Sequence, residues 1–367
     1  MIINNFYAEQ FRNLKDIKID PCENVNMICG KNGQGKTNIV EGIWMFTGFK
    51  SFRTKKNNEL IPYEKDFYKI SMEFFGENRN QNFQIKNFKE EQEVLKNKVK
   101  VTSTRSIIGE FFSVVFSPNH LNLIKGGPDE KRKFIDIAIS QINPSYARLL
   151  SNYYKILKQR NALLRSFEET KINEDFLEIW DENLADIGGK IITERKKYLD
   201  KLKLSATSCY EGICEKKEAL SIDYIQSGRE ESEDEKENKD ILMELLKTSR
   251  KIDIKRKFTS KGPHRDDIEI KLDKKNIRSF GSQGQQRSAA LALKLGEAYI
   301  VKELREEKPV VLLDDVMSEL DIDRQNYILN ELRDWQIFIT CCEPTQVLRM
   351  KSGKIFEMEN GKLKNEG

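Results

Sequence analysis

The chain has 367 residues, a net charge of +4, 33% charged residues and 38% apolar ones. That length holds one large or two ordinary domains, and the balance suits a globular protein with a solvated surface. No run of 18 apolar residues is present, and residues 1–7 lack the basic head and long apolar core of a signal peptide, so neither a membrane span nor secretion is expected, and a cytoplasmic location is. The modest charge permits nucleic acid as a partner without demanding it.

In chain order, residues 2–6, 14–19 and 25–29 are short apolar or alternating runs between polar turns and read as strands. The third runs into Gly30, Lys31, Asn32, Gly33, Gln34, Gly35, Lys36 and Thr37, which fit the phosphate-binding pattern G-x-x-x-x-G-K-[ST]. Apolar residues at helical spacing follow over 38–46. A strand, a glycine loop and a helix form the context in which this pattern cradles a nucleotide. Backbone N–H groups at Gly33 and Gly35 would approach the phosphates, aided by the positive end of the helix. Lys36 would reach the β- and γ-phosphates of ATP, and Thr37 would ligate Mg²⁺.

Strand-like patterns continue at 67–75, 82–88 and 94–102. From residue 129 the period becomes helical and stays so to about 246, which reads as a helical insertion. The expected organisation is an ATPase lobe formed by 1–115 and 255–367, interrupted by a helical lobe over 116–254. Three basic groups stand out: Lys50, Arg53, Lys55 and Lys56; Lys131, Arg132 and Lys133; and a third running from Arg250 through Lys255, Arg256 and Lys257 to Arg265. An acidic stretch over 230–240 reads as a surface loop. The six cysteines show no zinc spacing, and adjacent Cys341 and Cys342 read as core or near-core thiols. A structural role suits His120 and His264 better than a catalytic one.

Further on, residues 267–272 read as a strand, 285–304 as a helix, and 310–313 and 336–341 as buried strands of the parallel type. Asn360-Gly361 between two short strands signals a closing hairpin. The run 310–315, four apolar residues followed by Asp314 and Asp315, resembles Walker B: Asp314 would hold Mg²⁺ and Asp315 would act as the base towards the attacking water. Ser282, Gly284 and Gln285, at the start of the long helix, resemble the ABC signature, which in such ATPases acts in trans on the partner's ATP. Alone, that motif is also an ordinary helix cap. Ser318-Glu319-Leu320-Asp321 resembles the ABC D-loop.

Together these parts resemble an ABC-type ATPase head of the SMC-like branch, an α/β fold with a P-loop mixed sheet and a largely helical inserted lobe. Within that branch the chain is most similar to the RecF family, on residues 11–14, 117–121, 124–128, 131–136, 262–267, 282–287 and 313–321. The resemblance implies an ATP-driven homodimer that binds double- and single-stranded DNA and junctions. With RecO and RecR it would help load RecA at gapped or stalled-replication DNA. It also implies a weak, DNA-stimulated ATPase that acts as a conformational timer. Lys131, Arg132, Lys133, Lys255, Arg256 and Lys257 are the candidate DNA contacts. Asn119 is the candidate Q-loop ligand of the metal. Arg12 and Asn13 are either nucleotide contacts or an exposed turn.

Two departures point to slow hydrolysis. ABC ATPases usually carry Glu at the position of Asp315, and residues 339–343 contain no switch histidine. Three other readings compete: a structural SMC-like DNA clamp, for which the helical block is short; a transporter ATPase subunit, less consistent with the basic groups; and a nuclease, for which no second acidic cluster is present.

Overall fold

Burial decides which apolar runs become central strands. The structure, a computed structural model, describes residues 1–54, 56–89, 91–170, 175–214, 218–226, 232, 234–342 and 353–366. Lys55, Glu343 and residues 230, 231 and 233 of the acidic stretch lie outside the described residues. The first elements are β1 (Ile2–Phe11), β2 (Leu14–Ile19), β3 (Val25–Cys29), α1 (Lys36–Gly48), β4 (Phe67–Gly76), β5 (Arg79–Phe88), β6 (Gln92–Lys96), β7 (Val99–Lys100) and β8 (Ser113–Phe116). Helices α2 (Asn122–Lys125), α3 (Pro128–Ile142), α4 (Pro144–Thr170) and α5 (Asp175–Cys214) follow, then β9 (Leu220–Ile225), α6 (Glu235–Arg256), β10 (Asp267–Leu272) and β11 (Lys275–Asn276). The last elements are α7 (Ile277–Phe280), α8 (Gln283–Arg305), β12 (Val310–Leu313), α9 (Ile322–Glu331), β13 (Ile337–Cys341), β14 (Gly353–Glu359) and β15 (Lys362–Glu366).

Two compact units emerge. The first comprises Met1–His120, Cys209–Glu215 and Leu291–Gly367, and the second Leu121–Ser208 and Lys216–Ala290. The second unit thus takes in 255–290, which the sequence reading assigned to the ATPase lobe. It also contains a three-stranded sheet, β11-β10-β9, in which β10 is the strand expected at 267–272 and β9 lies inside what reads as a helical block. The strand β9 was missed because its six residues sit between long helical patterns. The acidic stretch is also not simply a loop: Asp234 accepts a hydrogen bond from the Glu237 backbone N–H (2.9 Å) and caps α6, so 235–240 are its first turns.

The first unit holds two six-stranded sheets. One is antiparallel, ordered β2-β1-β4-β5-β6-β7; the other is mixed, ordered β15-β14-β3-β13-β12-β8, with only the β14–β15 pair antiparallel. Every residue of β3, β8, β12 and β13 is buried, which explains their mostly apolar character; the buried polar exceptions are Asn26, Ser113 and Thr340. Helix α1 contacts β1 of one sheet and β8 and β13 of the other. Ile39, Val40, Ile43, Trp44, Met45 and Phe46 are all buried, as expected of a helix covered on every side. A bulge in β1 between Ile3 and Asn5 is completed by a side chain: Gln336 Oε1 accepts from Ile3 N–H (2.7 Å) and its Nε2 donates to Ile3 O (2.9 Å).

The second unit is organised by buried ion pairs. Arg160 donates to Asp181 (2.7 Å), Asp253 (2.8 Å) and Thr259 (2.8 Å), and Arg250 also donates to Asp181 (2.7 Å). Arg195 grips Asp136 with two bonds of 2.9 Å and donates to Pro263 O (2.6 Å). Lys131 pairs with Asp267 (3.0 Å), and Arg132 donates to the backbone O of Asp266. Residues 131–136 and 262–267 are therefore each other's partners. Near them, His264 is held by the Tyr153 hydroxyl at Nδ1 (2.7 Å) and by Thr259 O at Nε2 (3.1 Å). A carbonyl can only accept, so Nε2 carries a proton; burial disfavours a second proton on the ring, which leaves Nδ1 to accept from the Tyr153 hydroxyl.

Burial pushes the His264 imidazole down to about 4. The unfolded chain takes up that proton near the ordinary 6.5. The neutral ring's contribution is therefore complete above 6.5 and is lost as pH falls towards 4, a loss of about 3 kcal/mol at most. Replacing His264 with Gln should flatten this dependence. Urea unfolding midpoints at about pH 7.5 and about pH 5 should differ less in the variant than in the native chain.

Candidate nucleotide site

At the carboxyl end of β3 the chain turns through the glycine loop into α1. Gly35 sits at φ +109, and a Cβ there would lie 2.7 Å from Asn13 Oδ1 and 2.8 Å from Leu14 Cδ2, so only glycine fits. Lys36 Nζ folds back across the loop to Gly30 O (2.6 Å) and Lys31 O (3.1 Å).

Thr37 Oγ1 donates to Asp314 Oδ1 (2.8 Å), and Thr340 Oγ1 donates to the same oxygen (3.0 Å). The Thr340 hydroxyl also accepts from Asp315 N–H (2.8 Å). Thr340 thus fixes the Asp314 carboxylate and the Asp315 backbone from the next strand, a role that sequence reading missed because one threonine in a buried strand carries no motif. Burial raises the Asp314 carboxyl, while the two hydroxyl donors oppose that rise. Asp315 is exposed, at φ +55, just past the strand end. A hydroxyl and a carboxylate oxygen 2.8 Å apart form a hard-oxygen donor pair of the kind that suits Mg²⁺. Asn119 is exposed in the turn after β8, the strand paired with β12. The oxygens brought together for a metal are those of Thr37 and Asp314.

The glycine loop is braced from two sides. Asn13 Nδ2 donates to Gly33 O (2.8 Å), and Asn38 Nδ2 donates to Asn13 Oδ1 (2.7 Å). Gln34 accepts from Asn360 N–H at its side chain and from Gly361 N–H at its backbone O (3.2 Å). Gly361 O in turn accepts from Lys15 N–H (3.1 Å). Residues 12 and 13 do form a turn, with Asn13 exposed and Arg12 half-buried. Asn13 supports the loop backbone, and Arg12 forms a two-bond fork with buried Glu41 of α1 (2.9 and 2.8 Å). Arg53 joins the same carboxylate (3.1 Å).

In the second unit, Ser282 caps α8 reciprocally. Its Oγ accepts from Gln285 N–H (3.2 Å), and Gln285 Oε1 accepts from Ser282 N–H (2.6 Å). Gln285 Nε2 donates to Glu218. Ser282 is exposed and Gly284 half-buried. The cap leaves the serine its own O–H proton to donate.

Among the DNA candidates, Lys131 and Arg132 are corrected to structural residues: both are buried and paired, as above. Arg250 likewise serves Asp181. Lys133 is exposed, as are Lys255, Arg256 and Lys257 at the end of α6. Cys341 is buried as expected, whereas Cys342 is exposed. Among the described residues no cluster of three or more His, Cys, Asp or Glu could hold a metal, and no helix is long and apolar enough to cross a membrane.

The fold and this site define an ABC-type ATPase head of the SMC-like class. The family described as RecF/RecN/SMC N terminal domain matches residues 2–364. The SMC head domain of Pyrococcus furiosus shares the fold at TM-score 0.57 and 15% identity, covering 99% of this chain and 95% of that one. Similarity to RecF is far greater. The DNA replication and repair protein RecF of Clostridium acetobutylicum is 39% identical over 368 residues, covering 99% of each chain. A solved structure of the recombination mediator protein RecF with ATP, in the RecFOR pathway, superposes at TM-score 0.92 with 37% identity, covering 100% of this chain and 97% of that one. The chain belongs to the RecF family.

The hairpin brace is open to test. A Cβ on Gly361, which has φ +75, would lie 2.0 Å from Asn13 O. Gly361→Val should displace the hairpin from Gln34 and weaken nucleotide binding about tenfold while the rest of the unit stays folded. Titration with a fluorescent ATP analogue, alongside a thermal melt, checks this.

Proposed function

We propose that this chain is an ATP-dependent DNA-binding protein of recombinational repair, with ATP and Mg²⁺ joining two copies into a homodimer. The observation that carries this reading is the Thr37–Asp314 pair beneath the glycine loop, in a chain whose RecF relative was solved with ATP. In this reading the N–H groups of 33–37 and the Lys36 ammonium bind the phosphates. Lys36 exchanges its carbonyl partners for phosphate oxygens at little cost in reorganisation. Thr37 and Asp314 hold Mg²⁺, which would neutralise charge on the phosphates. Asp315, exposed and aimed by Thr340 and Ser318, takes the proton of the attacking water. Ser282 and the first N–H groups of α8 meet the γ-phosphate bound to the other copy, so hydrolysis loosens the dimer.

Partner recognition follows the family. The relative's assignment to the RecFOR pathway supports RecO and RecR as partners, with gapped DNA as the place of action. Turnover is slow because the base is Asp, which reaches less far than Glu. DNA stimulates it by favouring the closed dimer.

Two variants test the site. Lys36→Ala should weaken ATP binding about ten- to hundredfold, through loss of charge-assisted bonds. Asp315→Asn should bind ATP normally but lose turnover by about 10²-fold or more. Unchanged affinity in a folded Lys36→Ala protein, or normal turnover in Asp315→Asn, contradicts the assignment.

The DNA surface has its own test. Neutralising Lys255, Arg256 and Lys257 together should lower the salt slope of DNA binding by about 2 to 3, uniformly across sequences. Replacing Lys131 should instead reduce stability, because Asp267 loses its partner. DNA affinity measured over a salt series, with ATP present, distinguishes the two.

A further inference from the structure

Three of the six cysteines gather at the base of the glycine loop, where the ATPase chemistry uses none of them. Cys29 ends β3 and directly precedes Gly30. Cys341 ends β13 and directly follows Thr340. The two are register partners on adjacent parallel strands, with Sγ atoms 3.1 Å apart. Paired residues of neighbouring strands project to the same face, and strands lie about 4.8 Å apart, inside the roughly 4.4–6.8 Å that a disulfide spans. The third thiol, Cys342, is exposed, 4.0 Å from Lys36 Nζ and 3.3 Å from Asn32 Oδ1.

We propose that Cys29 and Cys341 form an oxidisable pair, and that their disulfide weakens nucleotide binding at the adjoining glycine loop. The oxidant is a peroxide. One thiolate attacks the peroxide O–O bond and becomes a sulfenic acid, releasing one water once protons are counted. The second thiol then attacks that sulfur, forming S–S and expelling the second water. In sum, two thiols and one hydrogen peroxide give one disulfide and two waters, and thiol exchange with a small dithiol reverses it.

The coupling to the site is short. Drawing two sulfurs from 3.1 Å to bonding distance pulls on Cys29 and Cys341 together. Gly30, whose carbonyl holds Lys36, and Thr340, which holds the Asp314 carboxylate and the Asp315 backbone N–H, are their immediate neighbours. A phosphate cradle tolerates only about 0.5 Å of displacement before affinity suffers. Most disulfides found in reducing compartments are of this transient, sensing kind.

The consequence for ATP rests on the nucleotide reading above, and the experiment separates the two. The full chain is reduced, or treated with hydrogen peroxide, then blocked with an alkylating agent and digested for peptide mass mapping. Affinity for a fluorescent ATP analogue is measured on the same samples. We expect a Cys29–Cys341 cross-linked peptide, ATP binding weaker by about tenfold or more, and recovery with dithiothreitol. Cys29→Ala and Cys341→Ala should each bind ATP when reduced and keep that affinity after peroxide. Cys342→Ser should still lose it. Absence of the cross-link, or a peroxide effect that survives in Cys29→Ala, overturns the pair. A cross-link formed with ATP affinity unchanged overturns the coupling. Failure of the reduced protein to bind ATP sinks the site reading instead, while the mapped peptide still decides the pair.

Discussion

One carboxylate oxygen, Asp314 Oδ1, holds the first unit's chemistry in register. It accepts hydrogen bonds from Thr37 on α1 and from Thr340 on β13, and Asp314 itself closes β12. Three elements distant in sequence therefore meet at one atom. Because the carboxylate is buried, its charge is costly unless donors surround it, and the two hydroxyls supply that compensation. A divalent cation at that carboxylate would compensate its charge far more strongly than two hydroxyls do.

The glycine loop depends on this register and is held only in part by its own Lys36 ammonium on Gly30 O and Lys31 O. Its backbone is fixed from one side by Asn13 in the turn after β1, and from the other by Asn360 and Gly361 in the turn before β15. Apart from the Gln34 N–H, which bonds to Lys31 O (3.4 Å), backbone N–H groups within the loop add little to its shape. External side chains and turns therefore take that task. Glu41 has a comparable function one turn further along α1, where its buried charge is met by Arg12, Arg53 and Ser51.

Motif-bearing parts of this architecture were legible in the sequence because their chemistry constrains residue type. The glycine loop, the paired aspartates and the Asn-Gly hairpin each need particular residues at particular spacings, and the structure has each in its expected element. Periodicity also served where elements were long, as in α5 and α8. It failed for β8 and β9, short strands of four and six residues whose pairing partners lie far away in sequence. Charge was the least legible property. Lys131 and Arg132 look like a surface patch in one dimension, yet they are buried because Asp266 and Asp267 arrive from more than a hundred residues downstream. Arg12 was likewise unreadable without knowing that Glu41 lies beneath it. Spacing reveals local geometry, whereas an ion pair between distant segments leaves no local trace.

The position of β3 has a consequence for how the protein acquires its function. This strand lies between β13 and β14, both parallel to it, so neither of its neighbours exists until residues 337–341 and 353–359 have been made. Pairings at such separation are slow to form, because the closure entropy of a long loop precedes any reward from contact. During synthesis the glycine loop emerges early, yet it has no sheet to anchor it and no hairpin against Gln34. A nascent chain would carry its phosphate-binding letters for most of its time on the ribosome without the affinity they encode. Under the proposed function, nucleotide capture would then mark the end of folding, and a stalled or truncated chain would lack the assembled glycine loop.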